Sequence, residues 1–244
     1  PALPTVVTGN QFEQVFSVSF EGADGLMFTG NRLAGPGAAA ISVKGGTGIV
    51  LAGNRVVSAA SGAGLRLSGV LRQVAILGNL MTKGGRNGMQ IDGTTRGLLL
   101  RGNVLAGNAE AGVSIRNATC VAVQGNIILG NGSAGLRLDR SGAARIADNA
   151  ILGNGGAGIE VEAQTGLGTV LVSDNLISRN REGLRAAGLG EVRLEGNDLA
   201  DQVPRQFAGD FSPWLAPYLT GGAGLVIPAA AQSGTSPTAP CTSE

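Results

Sequence analysis

From Gly64 to Asn197 the chain repeats itself, and the repeat restricts the fold more than any other feature. GLRL (64–67), GMQI (88–91), GVSI (112–115), GLRL (135–138), GIEV (158–161) and GLRA (183–186) fall into register, with steps of 24, 24, 23, 23 and 25 residues between their leading glycines. A second block follows in each line: VAILGN, LLLRGN, VAVQGN, ARIADN, VLVSDN and VRLEGN. These end at Asn79, Asn103, Asn126, Asn149, Asn175 and Asn197. Self-similarity at a period of roughly 20–50 residues marks a solenoid, in which each repeat is one unit that buries its apolar face only against its neighbours.

The asparagine that closes the second block extends in both directions as Asn10, Asn31, Asn54, Asn79, Asn103, Asn126, Asn149, Asn175 and Asn197. Each line holds three short alternating runs, such as GVSIR, CVAVQGN and IILGN from Gly112 onward. Alternation over four to six residues is the half-buried strand pattern, and no stretch of the array shows helical spacing. Asn87-Gly88, Gly107-Asn108, Gly130-Asn131 and Gly153-Asn154 separate the runs. Such residues tolerate the left-handed backbone of a sharp corner. Proline is absent between Pro36 and Pro204, as a continuous hydrogen-bonded ladder requires. Every line repeats its runs in one order and direction, so equivalent runs stack in parallel. The expected fold is all-β: a single-stranded parallel β-helix of about nine coils, about 23 residues each, with three strands per coil. The closing asparagines are expected to pass amide hydrogen bonds from coil to coil.

Composition narrows the function. Lys+Arg 18 against Asp+Glu 17 leaves a net charge of +1, which gives no electrostatic footprint for nucleic acid or an anionic membrane. No apolar run approaches a membrane span. The chain has no histidine, which removes a Ser-His-Asp or Cys-His arrangement, a histidine general base and most zinc sites. No helix follows the glycine-rich 35–37 and 46–48, so neither reads as a phosphate loop. No cofactor is expected, and nothing supports a calcium site. Cys120 is placed at a buried small-residue position and Cys241 in a polar tail; the sequence leaves open whether they pair.

The domain reading is 1–9 as a lead-in segment, 10–200 as the β-helix, 201–227 as a C-terminal cap, and 228–244 as a disordered tail or linker. Phe12, Phe16, Phe20 and Phe28 are read as fillers of a wider first part of the core. Phe207, Phe211, Trp214 and Leu215 are read as a cover for the last coil, whose open end exposes strand edges. No comparable cap precedes the first coil and no leader opens at Pro1. The expectation is a C-terminal piece of a longer protein, or another cover for that end, with self-association through the coil ends as one such cover.

Alternation names the outward side chains. In the first strand column Leu65, Leu67, Met89, Ile91, Val113, Ile115, Leu136, Leu138, Ile159 and Val161 point inward. Outward lie Arg66, Gln90, Ser114, Arg137, Glu160 and Arg185, and beside them Ser68, Asp92, Arg116, Asp139 and Glu162. The second column is blander outside: Ala75, Leu99, Ala122, Arg145, Leu171 and Arg193. Carboxylates one or two strand spacings apart are what glycoside hydrolysis uses. Alternating charges on neighbouring strands also serve as a solvated ladder that steadies the sheet, and both readings stand.

Repeats such as GNIILGNGSAGLRLDRS and DNAILGNGGAGIEVEAQ resemble the right-handed parallel β-helix repeats of the pectate-lyase-like superfamily, which includes pectate lyases, polygalacturonases and mannuronan C5-epimerases. The resemblance covers roughly 10–200 and implies a site on the first-sheet face, here Asp92, Arg116, Arg137, Asp139, Glu160 and Glu162. It implies an extracellular, surface or periplasmic protein that binds, and as lyase, epimerase or hydrolase processes, an acidic polysaccharide. The histidine of epimerase-like sites and the acidic cluster of polygalacturonases have no counterpart. The alternative is a structural or adhesive rod without catalysis.

Overall fold

A computed structural model of the chain describes residues 3–35, 39–59, 61–162, 168–188, 192–202 and 205–209. Strands stack in parallel throughout, each pairing with its equivalent one coil away. One column forms a nine-stranded sheet from Gln11–Glu13 through Arg32–Gly35, Leu80–Thr82 and Ile127–Leu129 to Asp198–Ala200, in strict chain order. Nine strands enclose about eight full turns. The other two columns share a sixteen-stranded sheet. They merge because Ala39–Ala52 and Ala63–Leu77 run through both without a break, whereas later coils are interrupted, as between Val113–Arg116 and Ala118–Gln124. Three strands per coil therefore holds for the later coils and not for these two.

Three aliphatic stacks fill the interior. In the first column Ile41, Leu65, Met89, Val113, Leu136, Ile159 and Leu184 lie in register, all at most 1% exposed. Leu51, Ile76, Leu100, Val123, Ile146 and Val172 form the second, and Leu33, Val56, Met81, Leu105, Ile128, Ile151 and Ile177 the third. Each such side chain contributes about 1.5–3 kcal/mol on burial. The glycine opening each first-column run is required by space: a Cβ on Gly112 would lie 2.8 Å from the Gly135 carbonyl oxygen and 2.9 Å from Asn131 Nδ2. The array continues past residue 200, since Arg205–Gly209 pairs with Glu182–Ala187 and sets buried Phe207 on Leu184. Phe211, Trp214, Leu215 and the tail lie outside the described residues.

The asparagine ladder forms as the period requires. Asn103 donates both its backbone N–H and its Nδ2–H to Asn126 Oδ1, each at 2.9 Å, and Asn126 does the same to Asn149. Each Nδ2 also reaches back, as from Asn126 to the Leu100 carbonyl at 3.1 Å. Within each Gly-Asn or Asp-Asn step the sharp corner falls on the first residue and not on the asparagine. Positive φ belongs to the residue before each rung, Gly102, Gly125, Asp148 and Asp174 among them, and to no rung. The same holds at Gly107, Gly130 and Gly153, so Asn108, Asn131 and Asn154 are not corner residues. They are buried and build a second ladder, which Asn180 and Gln202 complete.

Three side-chain expectations need correction. Phe28 is fully buried, but Phe16 is 77% exposed, because it lies outside the inward alternation that holds Phe12 and Phe20. Leu171, expected outside, is buried. Cys120 is half-buried at a corner with φ +57, not a core position. It is also disulfide-bonded; Cys241, the other cysteine of the sequence, lies outside the described residues.

Candidate functional site

The first-sheet face takes its geometry from the parallel register. Ser114, Arg137, Glu160 and Arg185 are consecutive partners in one outward column, and Arg116, Asp139 and Glu162 in the next. Their inward neighbours are the buried leucines and isoleucines of the core, so the backbone beneath each charge is fixed. Adjacent strands place these residues about 4.8 Å apart along the rod.

The charges bind one another. Arg116 Nε donates to Asp139 Oδ2 at 2.7 Å, and Arg140 Nε lies 3.5 Å from the other Asp139 oxygen. Arg137 bridges Glu162, through Nη2, and Glu160 at 3.6 Å. Arg185 approaches Glu160 at 3.6 Å and Glu182 at 3.7 Å. Asp92 stands apart from this group. It follows Ile91, the partner of Ile115, but its carboxylate faces Gln90 and, at 3.9 Å, Arg66. Five of the six expected residues therefore meet, and Asp92 joins the preceding coils.

The two signs differ in depth. Asp139 and Glu160 keep 14% and 15% of their side-chain surface, while Arg116, Arg137 and Arg185 keep 45%, 40% and 53%. Carboxylates are recessed and guanidinium groups stand over them. Burial pushes the Glu160 carboxyl above its ordinary range, against the opposing pull of Arg137 and the added push of Glu162. The hydrogen bond to Glu162 holds Arg137 more firmly protonated. Among the described residues no three metal-ligating side chains cluster, and no helix is long and apolar enough to cross a membrane.

Sequence reasoning passed over Arg140, Glu182 and the pairing role of Arg66, Gln90 and Arg185. Arg66, Gln90 and Arg185 share the outward column of Arg137 and Glu160, so the register already held that signal. Arg140 and Glu182 sit at strand ends, where alternation no longer says which way a side chain turns.

A parallel β-helix with a charged first sheet is thus the class that fold and face define. Residues 16–199 match the family described as the right handed beta helix region, and the chain belongs to it. Among solved structures it is similar to a point mutant of the periplasmic alginate epimerase AlgG, with 15% sequence identity and a TM-score of 0.59 over 83% of this chain and 50% of that one. It is also similar to the Dettilon tailspike protein, with 13% identity and a TM-score of 0.57 over 84% and 51%. The chain spans about half the length of these structures, and at such identity the likeness is one of fold. No curated protein matches it.

Proposed function

We propose that the chain binds an acidic polysaccharide along its first-sheet face, through Asp92, Arg116, Arg137, Asp139, Glu160 and Glu162, and works outside the cytoplasm. The observation that carries this reading is the layering of exposed arginines over recessed carboxylates, repeated at one strand spacing. Guanidinium forks meet the carboxylates of a polymer, and the acids beneath hold those forks in place. An alginate epimerase among the structures of similar fold agrees with a uronate polymer. Binding is the activity proposed. Glu160, whose carboxyl burial pushes upward, is the side chain from which proton transfer to a sugar would start. Lyase, epimerase and hydrolase chemistry are distinguished only by product analysis. The test is a glycan array probed with the wild type and with Arg137→Ala and Asp139→Ala. Uronate polymers are retained by the wild type and released by both variants. Equal retention by all three would remove this face from the binding site.

The second reading is a structural rod, and one observation favours it. At the first coil Val7, Phe12, Val18 and Phe20 are only partly buried, while Phe28, Leu33, Ile41 and Val43 one coil on are fully buried. An uncovered coil end offers both core surface and strand edges to another chain.

A further inference from the structure

Beyond the first-sheet face, the corner that follows it carries two arginines of a different kind. Arg72 and Arg96 are direct partners on adjacent parallel strands, within Ala63–Leu77 and Thr94–Arg101. Both are exposed. Arg66, Arg116, Arg137 and Arg185 on the neighbouring face each have a carboxylate within 4 Å. Arg72 and Arg96 have none among the described residues. Like charges directly opposite on a sheet repel and destabilise it, so the pair is a local cost that no described acid offsets. Along this column Thr47 precedes Arg72 and Thr119 follows Arg96, each in register. Asp24 is engaged with the Thr47 N–H at 2.8 Å, and Asp92 faces Gln90 and Arg66. The result is two arginines with no acidic partner among the described residues, on strands about 4.8 Å apart, with a threonine in register on either side.

We infer that Arg72 and Arg96 form an anion site that holds a carboxylate or sulfate substituent of the polysaccharide lying on the adjoining face, an inference that rests on the binding role proposed above. The in-register pair Arg32–Arg55 on the opposite column provides a comparison. It is equally exposed, but Gln11 and Leu80 flank it in register and Ala34 and Val57 adjoin it, so neither in-register neighbour carries a hydroxyl. Hydroxyls on both sides of the charge suit a sugar polymer, and of the two pairs only Arg72–Arg96 has them.

The experiment is calorimetric titration of the full chain with a defined oligouronate, its neutral methyl ester and inorganic polyphosphate. The proteins are the wild type, R72Q/R96Q, R32Q/R55Q and R116Q/R137Q. Oligouronate affinity falls about tenfold or more in R72Q/R96Q and stays within about twofold in R32Q/R55Q, while the ester binds both as it binds the wild type. The unfolding midpoint of R72Q/R96Q is unchanged or slightly higher, because the removed groups repelled each other. Wild-type oligouronate affinity in R72Q/R96Q overturns the site, as does an equal loss in R32Q/R55Q, which would mean net charge alone. A loss confined to R116Q/R137Q would then leave the first-sheet reading standing. Polyphosphate bound by the wild type and lost in R72Q/R96Q, with no glycan bound at all, would support the anion site and overturn the polysaccharide reading alone.

Discussion

A single asparagine shows how the rod distributes its hydrogen bonds. Asn126 Oδ1 accepts two N–H groups from Asn103, and its own amide donates to Asn149 Oδ1 and to the Leu100 and Gln124 carbonyls. Asn126→Ala leaves buried donors of Asn103 without an acceptor, at a cost of about 2–4 kcal/mol. Asn10 is exposed at the first rung, and Asn10→Ala costs under about 1 kcal/mol. Urea unfolding of the two variants separates these outcomes, and equal costs would refute the ladder as a stabilising device. The first ladder was legible because its eight steps all lie between 21 and 26 residues and a glycine or aspartate precedes every rung. The second was half hidden. Asn108, Asn131 and Asn154 follow glycines and looked like corner residues, while Asn180 follows Arg179 and Gln202 follows Asp201. Glu160 makes a residue-scale prediction too. Its folded-state pKa is raised above 4.5, chiefly by burial. The folded protein therefore holds this proton more tightly than the unfolded chain. The associated stability is fully present below 4.5 and is lost as pH rises through the raised value. In Glu160→Gln that loss is gone, so the stability of wild type relative to variant declines as pH rises. A difference that is flat or grows with pH in urea melts would contradict the shift.

At the scale of the element, what matters is whether a strand has a neighbour on both sides. Interior strands do. Among the described residues Val6–Thr8, Gln11–Glu13 and Val18–Glu21 have one each, toward the second coil. Val6 on this edge is 56% exposed, and Phe16, which precedes the strand Val18–Glu21, is 77% exposed. Exposed apolar edge strands pair with other chains unless a charge or cover prevents it. The wild type is expected to associate as concentration rises, and Val6→Lys to suppress this without lowering the unfolding midpoint. Light scattering on both proteins checks it. A monomer at all concentrations would leave the first coil without a role in assembly. This end was harder to read from sequence than the middle, since its phenylalanines fit the apolar pattern whether or not anything covers them. Phe16 shows the limit: position in the repeat, not residue type, decided its exposure. The charged columns were easier, because period and alternation fix which residues share a column. The pairing of Arg137 with Glu162, two residues beyond its register partner Glu160, depends on side-chain reach that no repeat encodes.

On the scale of the whole molecule, each coil touches only the coils beside it, so stability is close to a sum of coil and interface terms. Such an array opens from its ends, and the two ends here differ. Val18 and Phe20 are only partly buried on the first coil, whereas Phe207, on the last described strand of the same column, is 4% exposed and seated on Leu184. Opening the first coil exposes little new apolar surface and breaks one interface. Opening a middle coil such as that of Ile115, Val123 and Ile128, all fully buried, breaks two interfaces and both amide ladders. Native-state hydrogen exchange should therefore show fastest exchange in 6–21, slowest in 113–154, and intermediate protection in 182–209. Uniform protection along the rod would mean that the coils unfold as one cooperative unit and that the nearest-neighbour account fails. Fast exchange at 182–209 together with slow exchange at 6–21 would place the weak end opposite to where the partly buried phenylalanines put it, and would show that the edge of the first coil is already covered in solution.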